Sequence, residues 1–156
     1  SRPAHCPVPH CRGTAPRTLG MPDSMDESLL TYDRFIPGQV LRSTPERVSA
    51  EMLAQWQRLY PWDRCDAGAL PAGMATALMM RAYMRTLTPR PPGNVHLRQE
   101  LQLLGGIAAS EPITTEFECV GKEIRRERRY VELAVRGLAD AGRPVFSGRM
   151  TMIWAA

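Results

Sequence analysis

The chain has 156 residues and a mass of 17.4 kDa, with 44% apolar and 23% charged residues. That fits one compact domain, with or without a tail, and a core of ordinary size. No run of 18 apolar residues occurs, which excludes a hydropathic transmembrane helix, and no apolar segment of the secretory type follows the first residues. The net charge is +4 and the isoelectric point about 9.2, too mild for a dedicated nucleic-acid binder, which carries a denser basic stripe.

Lys122 is the only lysine, so 19 of the 20 basic residues are arginine. A GC-rich coding sequence accounts for that bias, and surface guanidinium groups are mostly just solvated.

Residues 1–20 hold no acidic residue and are rich in Pro, Arg, Thr and Gly. We expect a disordered N-terminal extension or an over-long start, with the domain proper spanning 21–156. The Arg-rich, acid-poor composition also suits a transit peptide, against which the prolines argue. His5, Cys6, His10 and Cys11 offer two imidazoles and two thiols, but their spacing is unlike zinc-ligand pairs, so no metal is expected. Cys65 and Cys119 show no pairing signal, and a reducing cytoplasm is the expected setting.

Residues 31–49 form an opening segment. Tyr32, Phe35 and Ile36 precede a Pro37-Gly38 turn and a short strand over 39–41. Ser49 is a fitting N-cap for a helix from about Ala50 to Leu59, with Met52, Leu53, Trp56 and Leu59 at helical spacing and Pro61 as its stop. After a loop through Asp63 and Asp66, a second helix is expected over Ala72 to Leu87. It is apolar nearly all round until Arg81, as in a helix buried against a sheet. Gly73, Ala75 and Ala77 permit close approach by other backbone.

The period then changes to two. Val95, Leu97, Gln99, Leu101 and Leu103 alternate with polar residues, as do Ile113 to Cys119 and Val131 to Val135. A last strand is expected over 145–154. Gly105-Gly106, Gly121 and Asp140-Ala141-Gly142 mark the strand ends. One antiparallel sheet around one apolar helix is an α+β layer architecture.

Several stretches resemble the MaoC-like (R-specific enoyl hydratase) family, whose hot-dog fold curls an antiparallel sheet around a central helix. Tyr32-Asp33-Arg34-Phe35-Ile36-Pro37-Gly38-Gln39 resembles the family's opening segment. Ser49 to Trp56 resembles its first helix, and Pro71-Ala72-Gly73-Met74 the "A-H-G-M" start of its central helix. Arg129 to Val135 and Asp140 to Met152 resemble its closing strands. The resemblance covers residues 31–155. It implies a hot-dog homodimer, or a heterodimer with another hot-dog chain, acting on an acyl-CoA or acyl-carrier thioester, with coenzyme A as part of the substrate and no resident cofactor. It also implies that the backbone N–H groups of Gly73 and Met74 hold the thioester oxygen.

One departure is sharp. The family's "G-D-x-N-P-x-H" loop carries an Asp/His acid–base pair that adds water to an enoyl thioester. Here the corresponding stretch, Leu59 to Asp66, contains neither His nor Asn, and Ala72 stands where the family has His. Asp63 matches the family's Asp by position and Asp66 is its neighbour, so these two are the candidate bases. Both also read as ordinary turn or capping residues.

The remaining candidates are weaker. His96, the only His outside the first 20 residues, is expected on the solvent side of its strand, opposite Val95 and Leu97. Tyr60 is a possible proton donor and Cys65 a possible thiol nucleophile. The central helix lacks the carboxylate that hot-dog thioesterases and related dehydratases place there. Arg81, Arg85 and Arg90 could hold the phosphates of a coenzyme A carrier. Arg125, Arg126, Arg128 and Arg129 have the same chemistry, but read equally as a solvated strand turn; without interleaved aromatics they do not suggest RNA.

Two function classes stand. The chain is an acyl-thioester hydratase/dehydratase with Asp63 or Asp66 as base, the reading the scaffold favours, or it is a non-catalytic acyl-CoA or acyl-carrier binding subunit paired with an active hot-dog chain, which the missing His favours.

Overall fold

The computed structural model describes residues 29–66, 69–108 and 110–155. The expected extension over 1–20 lies outside them. In chain order they form a 3-10 turn (Tyr32–Arg34), β1 (Val40–Arg42), β2 (Glu46–Arg47), α1 (Ala50–Leu59), α2 (Ala72–Thr86), β3 (Val95–Leu103), β4 (Pro112–Arg125), β5 (Arg128–Leu138), a turn at Asp140–Gly142 and β6 (Pro144–Trp154). Both helices and the four long strands stand where the sequence places them; β2 is an addition.

All pairings are antiparallel, in the order β1-β4-β5-β6-β3, with β2 also on β4. The sheet's inner face carries Phe117, Val131, Leu133, Val135, Met150, Met152 and Trp154, all buried. α2 presents Met74, Ala75, Leu78, Met79, Ala82 and Tyr83. These recur at i, i+1, i+4 and i+5, one helical face, so its apolar surroundings are narrower than composition alone suggests. Tyr83 meets Phe117 edge to face with ring centroids 6.2 Å apart.

The outer face of the sheet is charged. Arg42 and Arg136 both reach Glu116, at 2.6 and 3.3 Å, and Arg136 also reaches Glu118. Their spacing by two residues, and the register Arg42↔Glu116↔Arg136, line them up across three strands.

Two bulges alter the expected alternation. In β4, Cys119 pairs with Leu133 but Gly121 pairs with Glu132, so one extra residue lies between. Gly121 therefore marks a bulge, not the strand's end, and β4 runs on to Arg125. The turn falls at Arg126 and Glu127, with φ of 50° and 63°. Past the bulge Lys122 sits opposite core residue Val131, and its ammonium lies 4.8 Å from the Tyr32 ring centroid.

In β3, His96 pairs with Met152 and Arg98 with Thr151, leaving Leu97 extra. His96 is exposed, as expected. The expected face is corrected: its register partner Met152 points into the core, so His96 stands on the inner side of the sheet, at its edge. Leu97 and Val95, read as core-facing, are exposed.

Candidate functional site

The loop between the helices is shaped by local signals. Ser49 Oγ accepts from Met52 N–H at 3.1 Å and starts α1. Pro61 ends the helix, and the Asp63 N–H donates to Tyr60 C=O in the turn that follows. α2 begins after Pro71, which has no side-chain acceptor for the helix's free N–H groups.

Asp63 fills that role from ten residues upstream. Its Oδ2 accepts the Gly73 N–H at 2.9 Å and the Trp56 indole N–H at 2.8 Å. Gly73 is required here by contact: a methyl at this position would come within 2.7 Å of Asp63 Oδ2 and 2.9 Å of Trp56 Cζ2. The close approach is thus made by a loop carboxylate and an α1 ring, where the sequence suggested backbone. The positive end of the α2 dipole favours a carboxylate at this place.

The structure therefore brings Asp63 and Gly73 together, and the Gly73 N–H already has an acceptor. The Met74 side chain is buried in the core. Asp66 is exposed, and its C=O accepts from Ala69 N–H. Cys65 donates its thiol to Ala69 C=O at 3.2 Å. Burial pushes the Cys65 thiol above its ordinary range, and the carboxylates of Asp63 and Asp66 push it the same way. Its neighbourhood disfavours the thiolate that nucleophilic chemistry needs.

Aromatic rings extend from the clasp to the surface. Trp56 and Tyr60 have centroids 4.4 Å apart, and Tyr60 meets Trp62 edge to face at 6.0 Å. Trp62 is 77% exposed.

The three arginines offered for phosphate binding stand elsewhere. Arg81 and Arg85 both ion-pair with Glu46 Oε1 of β2, at 2.5 and 3.5 Å. At about 1.5 Å per residue they lie roughly 12 and 18 Å along α2 from Gly73. Arg90 stacks over Tyr83, 5.0 Å from its centroid. Its Nη1 is buried with no acceptor among the described residues. Arg125 stacks on Tyr130 beside the hairpin turn. Among the described residues, no group of three His, Cys, Asp or Glu side chains could hold a metal ion, and no helix is long and apolar enough to cross a membrane.

Trp56 is the site residue that periodicity concealed. It fits the apolar stripe of α1, so helical spacing absorbs it as packing. The available signal was its indole N–H, which needs an acceptor once the ring is half-buried.

No protein-family model matches the chain, and no curated protein matches it in sequence. Solved structures do match in shape. A MaoC-like dehydratase from Rhodospirillum rubrum superposes with a TM-score of 0.70 at 16% identity, covering 81% of this chain and 98% of that one. The R-hydratase PhaJ1 from Pseudomonas aeruginosa gives 0.63 at 19% identity, over 81% and 86%. The HadBC (3R-hydroxyacyl-ACP dehydratase) complex from Mycobacterium tuberculosis gives 0.59 at 17%, over 76% and 96%. With strand order, central helix and superposition over 76–81% of the chain in agreement, the protein has the hot-dog fold.

Proposed function

We propose that the chain binds an acyl thioester, carried by coenzyme A or an acyl carrier, at the N-terminus of α2, and that it serves as a binding or architectural subunit of a hot-dog pair. The observation that favours a subunit over an enzyme is the bond from Gly73 N–H to Asp63 Oδ2, which binding of the thioester would have to displace. Hydration of an enoyl thioester needs a base, an acid and free donors for the thioester oxygen. Here one donor is engaged by the chain's own carboxylate, and among the described residues no imidazole hydrogen-bonds Asp63. The similar structures, described as a dehydratase and an R-hydratase, support the ligand class.

A second reading, an enoyl-thioester hydratase or dehydratase with Asp63 as base, rests on Asp63 Oδ1. Among the described residues nothing donates to that oxygen, so it is available to activate water. The partner in either reading is a second copy or another hot-dog chain, and the two-component complex among the similar structures is a precedent for pairing.

The test is crotonyl-CoA hydration by the purified protein, beside calorimetric binding of the same thioester. Binding without turnover is expected. Turnover abolished by Asp63→Asn would establish the second reading instead; if Asp66→Asn abolishes it, Asp66 is the base. Absence of binding by short, medium and long acyl-CoA and by acyl-carrier thioesters would overturn the proposal.

A further inference from the structure

We infer that Trp56 and Asp63 form a latch: Trp56 is a positioning residue that holds the Asp63 carboxylate on the Gly73 N–H and so keeps the α2 N-terminus closed until a ligand displaces it. The inference rests on the thioester reading above and adds the gate to it.

Three observations carry it. Asp63 Oδ2 accepts two hydrogen bonds, one from Trp56 Nε1 at 2.8 Å and one from Gly73 N at 2.9 Å. A carboxylate oxygen has two acceptor sites, so these two donors saturate it. The two donors also come from different elements. Trp56 stands on α1, whose ring packs against the core cluster, whereas Gly73 opens α2. The carboxylate bridges them from a loop that returns on itself between Tyr60 and Asp63. Finally, the absent Cβ of Gly73 is what admits both the carboxylate and the Trp56 ring edge.

The consequence is competition. A thioester oxygen seeking the Gly73 N–H meets a full negative charge already seated there. Each tether on that carboxylate is a charge-assisted bond. Loosening one of them favours the open form and leaves the Gly73 N–H in place. Trp56→Phe is the suitable change because it keeps an aromatic ring on this face of α1 while removing the indole N–H, at the cost of a smaller ring edge beside Gly73.

The experiment has two readouts. The first needs no ligand: amide exchange of Gly73, followed by NMR. Trp56→Phe is expected to speed Gly73 exchange about tenfold, the scale of one hydrogen bond to a charged group, with the α2 interior amides unchanged. Unchanged Gly73 protection overturns the latch. The second is binding of hexanoyl-CoA by wild type, Trp56→Phe, Asp63→Ala and the double variant. Affinity is expected to rise in both single variants and to rise no further in the double variant, because Trp56 acts through Asp63. Equal, additive losses on both changes also overturn the latch, since they mean that both residues merely support the fold. Faster Gly73 exchange with no thioester bound by any variant leaves the clasp intact as a structural device and overturns the thioester reading on which its gating role rests.

Discussion

Phe146 lies directly over Gly137: the two are register partners on β6 and β5, and a Cβ at Gly137 would come within 2.3 Å of Phe146 Cε1. The ring is fully buried, so it cannot swing aside into solvent. Gly137→Ala is expected to destabilise the fold by about 1–3 kcal/mol, the usual cost of overpacking a dense core. Chemical denaturation of the variant beside wild type measures it. An unchanged midpoint and slope would show that the sheet gives way freely at this point.

Such contacts explain what could be read in advance and what could not. The elements were legible because their signals are local. Ser49 and Pro61 bound α1, and the change of period after Pro92 separates α2 from the strands. The bulges at Val120 and Leu97 were not legible, because an extra residue is defined only against its partner strand. One inserted position reverses which side chains face inward, and Val95, Leu97 and His96 were misassigned to faces for that reason. At the candidate site, Asp63 and Gly73 were each visible as residues. Their bond joins positions ten apart through a side chain, and no periodicity reports it. The distance of Arg81 and Arg85 from the clasp is set by helical rise alone and was legible; their pairing with Glu46 was not, because that residue has no motif around it.

A pH dependence is built into the loop that precedes β4. Glu111 accepts from the Ala108 N–H at 2.8 Å, and Arg143 donates to both its oxygens at 2.7 Å. The Ala108 N–H, then the Arg143 guanidinium, hold the Glu111 carboxyl below its ordinary range. The folded value is below the unfolded one, so the ionised form stabilises the fold. That contribution is complete above the unfolded value, about 4.3, and is lost as pH falls through the folded value. Glu111→Gln is therefore expected to melt below wild type at pH 6, with the gap closing towards pH 3. A gap that is constant with pH would assign the effect to packing.

The edge strand β3 predicts association. Among the described residues it pairs only with β6, and its other edge is open. Val95 and Leu97 are 48% and 53% exposed there, the kind of apolar, unpaired edge that proteins cover by pairing. The protein is expected to sediment as a dimer at micromolar concentration. Leu97→Lys, which places a charge at the β3 bulge, is expected to shift it to monomer with its melting temperature little changed apart from the lost dimer linkage. A wild-type monomer near 17 kDa at that concentration would remove the pairing proposed for this fold.

Cys65 tests the electrostatics of the loop beside the clasp. Burial raises its thiol above the ordinary range, and the carboxylates of Asp63 and Asp66 add to the rise. Only the thiolate is alkylated at an appreciable rate, so at pH 7.5 iodoacetamide should modify Cys65 more slowly than an unstructured cysteine peptide. The rate should climb about tenfold per pH unit until the raised value is reached, because the thiolate fraction does so. Asp66→Asn removes one like charge and leaves the Asp63 bonds to Trp56 and Gly73 in place. By the exposed-pair scale of Coulomb's law it should speed the reaction about two- to threefold at fixed pH, with less effect at high salt. Peptide mass mapping separates Cys65 from the other three cysteines, and Cys119, buried under the sheet, should remain unmodified in the native protein. A Cys65 rate equal to that of the free peptide would mean that the loop leaves α2 in solution, and with it the carboxylate that closes the helix.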